Sequence, residues 1–217
     1  MHRMPRLAAA ALLLLGPVAF AQAREPSPLE PLLEVQVLGR ELLAIDAEGG
    51  DQRSARLERD EKVLFTRSQG RVGVVVTDRR LLAVATRSGA WQETRYRNGE
   101  APPTDVVLGD RVALALLTQR ALGFDGGSRN LIESTLGPRE VVVDTAVGQN
   151  VVVVATDRRA LGLSSDRGGF FEVRLRSGES VESIEAFARH ATINTSQRLL
   201  TFRGQTASWE ERRKSLR

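Results

Sequence analysis

Cysteine is absent from the 217 residues, so no disulfide, thiolate nucleophile or thiolate metal site can be built. The only methionines are Met1 and Met4, and the only histidines are His2 and His190. A His-pair metal site therefore has no ligands beyond residue 2. A Ser-His-Asp triad would have to use His190, and no serine lies in a Gly-x-Ser-x-Gly turn. Lysine occurs only as Lys62 and Lys214, so the pI near 10.4 reflects arginine in place of lysine. Basic residues are spread along the chain, and nucleic-acid binding, which needs them clustered on one face, is not expected. Aromatic residues make up only 5 %, which weighs against a sugar-stacking surface.

The longest apolar run, residues 7–20, is too short for a membrane span, which takes about 20 apolar residues. It follows Arg3 and Arg6 and ends at Ala21-Gln22-Ala23, a small-x-small cleavage pattern. Residues 1–23 are expected to be a cleaved secretory signal, which places the remainder in the periplasm or outside the cell. Cleavage would leave 29 basic against 27 acidic residues and no span in the mature chain.

What the sequence does contain is a repeat. The stretch Val74-Val75-Val76-Thr77-Asp78-Arg79-Arg80-Leu81 returns as Val153-Val154-Ala155-Thr156-Asp157-Arg158-Arg159-Ala160. Leu43, Leu82, Leu122, Leu161 and Leu200 mark five units at steps of 39, 40, 39 and 39 residues. Two residues on, every unit is apolar: Ile45, Val84, Phe124, Leu163 and Phe202. Trp91, Leu131, Phe170 and Trp209 recur later in units two to five, while Gly70, Gly109 and Gly148 share a step that reaches Phe187 in the fifth.

Each unit reads as four short strands separated by turn residues. In unit two these are residues 63–66, 72–77, 81–86 and 91–97. The second run is continuously apolar, as suits a strand covered on both faces. The last alternates apolar and charged residues, as in Phe171, Val173 and Leu175 against Glu172, Arg174 and Arg176. No helix is expected; residues 183–189 come nearest, but their place in the repeat makes them a strand. Tandem four-stranded antiparallel units of about 39 residues predict an all-β, five-bladed β-propeller over residues 32–217. An open solenoid or a barrel of the same strands is the alternative. In unit one the runs at 33–38, 42–46 and 53–58 supply the second, third and fourth strands, and the first would fall in residues 24–31. Pro26, Pro28 and Pro31 make that extended segment a poor central strand.

The order Val-x-Val-x-Thr, turn, Leu-x-Ala, then Trp, running from Val74 to Trp91, resembles the repeat of pyrroloquinoline-quinone-type propellers. That group includes outer-membrane assembly lipoproteins and alcohol dehydrogenases. The resemblance implies blades whose first strand lines a central channel and whose charged last strand lies outermost. The chain departs from it in its shorter spacing, its five units and its lack of a lipidated cysteine.

Candidate site residues follow from the repeat. Arg80, Arg120, Arg159 and Arg198 hold one place after the hairpin turn, with Glu41 in unit one. Symmetry would gather four guanidinium groups on one rim, able to grip an acidic partner; alternatively Asp78 and Asp157 pair with them and stabilise the turn. Acids on the first strands, Asp105, Glu140, Asp144 and Glu182, are the candidates for glycoside-hydrolase chemistry, which needs two converging carboxylates. Trp91 and Trp209 could stack on a sugar or wedge between blades. The function expected is that of an exported, monomeric binding or scaffolding propeller without catalysis or cofactor. It would recognise a protein or cell-envelope polymer through one rim; a carbohydrate-active propeller, lectin or hydrolase, is the alternative.

Overall fold

The computed structural model describes residues 31–86 and 90–214. The expected signal peptide, residues 1–23, and all but the last residue of the 24–31 segment lie outside them. Among the described residues there is no helix, and nineteen strands run in chain order through five antiparallel sheets. Sheet 1 holds β1 (Leu33–Leu38), β2 (Glu41–Asp46) and β3 (Gln52–Arg56). Sheet 2 holds β4 (Val63–Gln69), β5 (Val72–Thr77), β6 (Arg80–Ala85) and β7 (Gln92–Arg95). Sheet 3 holds β8 (Val106–Leu108), β9 (Val112–Leu116), β10 (Arg120–Asp125) and β11 (Asn130–Thr135). Sheet 4 holds β12 (Val142–Val147), β13 (Val151–Thr156), β14 (Arg159–Ser164) and β15 (Arg167–Arg174). Sheet 5 holds β16 (Val181–Ala186), β17 (His190–Thr195), β18 (Arg198–Arg203) and β19 (Ser208–Arg213). The repeat thus gives blade-like meanders, and of the run at 183–189 residues 183–186 belong to β16, while 187–189 form the turn into β17.

Successive sheets pack face to face, and each junction is a core. Val72, Val74, Val76 and Ala83 of sheet 2 meet Ala113, Ala115, Leu122 and Phe124 of sheet 3. Val112 and Leu114 meet Val152, Val154, Leu161 and Leu163. Val151, Val153, Ala155 and Ala160 meet Ala191, Ile193, Leu200 and Phe202. Sizes alternate across each junction. Ala44, Ala83, Gly123 and Gly162 hold one repeat position, and each faces the large residue of the next sheet: Val84, Phe124, Leu163 or Phe202. A Cβ on Gly162 would lie 2.6 Å from the Phe202 ring, so the small residue is what lets the ring in. The hairpins at one end are stitched by repeated backbone bonds, Leu32 N–H to Gly70, Arg71 to Asp110, Arg111 to Gln149 and Asn150 to Ala188, at 2.7–3.0 Å.

The expected closed ring is not formed. Among the described residues no hydrogen bond, ion pair or apolar cluster joins sheet 5 to sheet 1. The physical reason is written on the two end faces. Where sheets 2 and 4 present Val72, Val74, Val76 or Val151, Val153, Ala155 to the next sheet, sheet 5 presents His190, Thr192 and Asn194. On sheet 1, Glu34 and Gln36 pair with Ile45 and Leu43 where sheet 2 sets Gly73 and Val75 against Val84 and Leu82. The Gln36 amide donates to Glu34 at 2.9 Å. Polar outer faces are what the terminal repeats of an open array need in order to stay in water. The described residues therefore form an open stack of five sheets with four junctions.

Candidate functional site

Within each of the last four sheets the recurring arginine stands at the start of the third strand and turns into the junction with the preceding sheet. In sheet 5, Arg198 donates from Nε to Glu179 at 2.8 Å and from Nη2 to Glu179 and to the Arg174 carbonyl of β15. Its Nη1 meets Glu211 at 2.5 Å. Arg159 repeats this with Glu140, Glu172 and the Thr135 carbonyl. Arg120 does so with Glu100, Glu133 and the Arg95 carbonyl. Arg80 does so with Glu61, Glu93 and the Arg56 carbonyl. In every case Nε, Nη1 and Nη2 are engaged, and three of the four arginines are buried outright. The guanidinium is a planar fork suited to this two-sided grip.

The paired glutamates are satisfied from the backbone side as well. Glu58, Arg97, Gly137 and Arg176 donate their N–H groups to Glu61, Glu100, Glu140 and Glu179 at 2.6–3.0 Å. Thr77, Thr156 and Thr195 add a hydroxyl in sheets 2, 4 and 5. Leu117 ends that hairpin position in sheet 3, so Glu100 lacks the third donor. Burial works against ionisation of Glu179, but the Arg198 guanidinium, the Arg176 N–H and the Thr195 hydroxyl outweigh it and hold the carboxyl at about 2. Glu100 and Glu140 are lowered by the same balance, with burial again the opposing influence.

A carboxyl depressed in the folded chain stabilises it above the unfolded pKa and ceases to do so as the pH falls through the folded value. Urea unfolding midpoints are therefore expected to hold from pH 7 to about 5 and to drop between roughly pH 4.5 and 2. The Glu179 unit alone accounts for about 3 kcal/mol of that loss. Asp125, raised by burial, works in the opposite sense and offsets a little of it. Glu179→Gln should flatten the acid limb by its own share; a midpoint independent of pH below 4.5 would refute the assignment.

The four arginines expected to form a cationic rim are thus placed one per junction, facing carboxylates of their own chain. Asp78 and Asp157 are not their partners; these accept from the Lys62 and Val141 N–H groups. The real partners were readable as a constant spacing: Glu61, Glu140 and Glu179 each lie 19 residues before the arginine, and Glu93, Glu172 and Glu211 lie 13 after it. In unit three the first gap is 20, which locates the extra residue of the 40-residue step.

The candidate carboxylates do not converge. Glu140 is held by Arg159, Asp105 pairs with Arg67 at 3.5 Å, Asp144 accepts from the Thr145 N–H, and Glu182 pairs with Asn194 and Lys214. Trp91 and Trp209 wedge between sheets, donating Nε1–H to the Arg53 and Phe171 carbonyls of the preceding sheet at 3.2 and 2.9 Å. His190 is exposed and stacks on Phe187 at 4.6 Å.

The two edges of the stack differ in character. The first strands of neighbouring sheets lie side by side and form a leading wall; the last strands form a trailing wall. The trailing wall is charged, with Arg95, Glu133, Glu172, Arg174, Glu210 and Arg212. Every large hydrophobic residue that is exposed among the described residues belongs to the leading strands or their ends: Val37, Leu38, Leu64, Val141, Val143 and Phe187. Bulges in β4 and β12 fall at Leu64 and Val143, and an extra residue of that kind re-aims its side chain out of the ladder.

No protein-family model matches the chain, the pyrroloquinoline-quinone-type repeat included, and no curated protein matches it. Solved structures do. The apo AztD structure from Citrobacter koseri is 11 % identical with a TM-score of 0.40, over 83 % of this chain and 59 % of that one. Human WBSCR16 is 12 % identical with a TM-score of 0.40, over 75 % and 56 %. Yeast RCC1 (Prp20), solved with Kap60, is 14 % identical with a TM-score of 0.36, over 77 % and 54 %. The chain thus spans little more than half the length of these proteins.

Proposed function

We propose that the chain is a non-catalytic binding and scaffolding module, acting outside the cytoplasm, that receives a protein partner on its leading wall. One observation carries this reading: among the described residues the exposed large hydrophobic side chains are confined to that wall, and the opposite wall has none. Apolar side chains left in water on one side of an otherwise well-packed stack mark a contact surface. The Arg–Glu units serve the partner indirectly, by fixing the sheets that carry the wall. Export rests on the N-terminal pattern ending at Ala23.

A photo-crosslinking residue at position 64 or 143 should trap a protein from envelope extract of the native organism, and one at Arg212 on the trailing wall should not. Leu64→Asp with Val143→Asp should reduce the trapped product at least about tenfold, the effect of placing charge in an apolar contact. Product from Arg212 alone, or an undiminished yield from the double variant, would overturn the reading.

A further inference from the structure

Among the described residues, sheet 1 is one strand short on the leading wall. Its β1 holds the place of β5, β9, β13 and β17, each of which is covered by a preceding strand. The pairing parity shows which backbone groups are left over. The Ala47 N–H bonds the Leu32 carbonyl, so Leu32 and Ala47 form a hydrogen-bonded pair. With the β1–β2 register, Glu34, Gln36 and Leu38 then point their backbone groups at β2. Leu33, Val35 and Val37 point theirs at the open edge. The same parity appears in the complete sheets, where Gly109, Gly148 and Phe187 donate to the Val112, Val151 and His190 carbonyls.

The chain's own upstream residues are the nearest occupant, and their sequence does not suit this register. In sheet 2, Gln69 lies opposite Val72, Arg67 opposite Val74 and Phe65 opposite Val76. Shifted by one unit of 39, those places in sheet 1 are Glu30 opposite Leu33, Pro28 opposite Val35 and Pro26 opposite Val37. The ladder needs an N–H at two positions where proline has none.

We infer that the free edge of β1 takes up an extended, proline-free segment of a partner protein as a fourth, antiparallel strand. Strand addition of this kind draws affinity from the backbone and selectivity from alternate side chains. The strands that fill this place elsewhere define the fit. Phe65, Val107 and Ala146 turn apolar surface toward the following sheet, so the partner segment is expected to carry apolar residues at alternate positions. Val37 and Leu38, 40 % and 55 % exposed, offer the adjoining apolar contact. This inference rests on the leading-wall reading and narrows it to one edge and one kind of ligand.

The probe is a synthetic peptide copying residues 141–147 (VVVDTAV), which fills this place in sheet 4, with flanking lysines for solubility. Hydrogen exchange followed by NMR on the full chain should show the Leu33, Val35 and Val37 amides exchanging freely, then slowing at least tenfold with saturating peptide. Val37→Pro removes one outward N–H on an exposed edge and should weaken the peptide at least tenfold with the melting temperature kept. A peptide N-methylated at its ladder positions should not bind wild type. Amides already protected without peptide would overturn the inference, because the chain's own segment or a second copy would then hold the edge; so would amides that peptide leaves unchanged. Peptide binding that is lost in the Leu64→Asp, Val143→Asp variant but indifferent to Val37→Pro would sink strand addition while sparing the leading wall.

Discussion

Arg120→Met is expected to cost about 3–5 kcal/mol of unfolding free energy, because it strands a buried carboxylate. Glu100 is nearly enclosed, with 7 % side-chain exposure, and keeps only the Arg97 N–H once the guanidinium is gone. The Arg95 carbonyl of the preceding sheet loses its donor as well. Arg120 is the most demanding of the four positions, since Leu117 supplies no hydroxyl where Thr77, Thr156 and Thr195 do. For a chain of this size the loss corresponds to a fall in melting temperature of roughly 10 °C. Glu133→Gln, at a carboxylate 44 % exposed, should cost about 1 kcal/mol or less. The double variant Arg120→Met, Glu100→Gln should recover at least half of the deficit, since a neutral amide is far cheaper to bury than an unpaired charge. A single substitution as mild as a surface change would mean that guanidinium and carboxylate are solvated, and would restore the arginine to the list of groups free to meet a partner.

The strands were legible in the sequence because the repeat averages out local ambiguity. Five copies of one apolar pattern fixed the runs of unit one to within two residues of β1, β2 and β3, which a single copy would not have done. The recurring arginines are also visible in the sequence, but their partners are not their near neighbours in the chain. The decisive carboxylates lie 19 residues before and 13 after, across hairpins, where only the sheet geometry brings them together. Repetition alone implies closure, but the last unit of the sequence argues against it. His190, Thr192 and Asn194 stand where other units carry valine, leucine or alanine, and a polar outward face is what the end of an open array needs. Absence of the arginine from unit one belongs to the same logic. Its role is to reach back to a preceding sheet, and Glu41 has none among the described residues. The apolar leading wall could not be read ahead of the structure, because Leu64 and Val143 look like ordinary strand residues until the bulges turn them outward.

Gly148→Ala is expected to destabilise the stack by about 3 kcal/mol or more, at or above the upper end of overpacking costs. A Cβ at Gly148 would overlap the Phe187 carbonyl, and one at Gly109 would overlap the Gly148 carbonyl. Both obstacles are backbone atoms of the next sheet's hairpin, so no side-chain rotation relieves them. Structural equivalence runs through Gly109, Gly148 and Phe187, which share the bond back to Val112, Val151 and His190; Gly70 sits one residue further on, level with Asp110. Phe187 can carry a ring because no sheet of the described residues follows it, and the ring lies 45 % exposed against His190. Phe187→Ala should therefore cost about 1 kcal/mol or less, as surface substitutions do. Opposite tolerances at equivalent positions follow only if the array stops at sheet 5. In a ring closed through a further junction, residue 187 would face a neighbouring hairpin, and shortening its side chain would relieve crowding. Native-state hydrogen exchange separates the cases. Gly148→Ala should speed exchange across β16–β19 ahead of sheets 2 and 3, since it prises apart the junction that holds sheet 5. Uniform loss of protection in all five sheets, or a gain in stability from Phe187→Ala, would argue that first and last sheets meet after all.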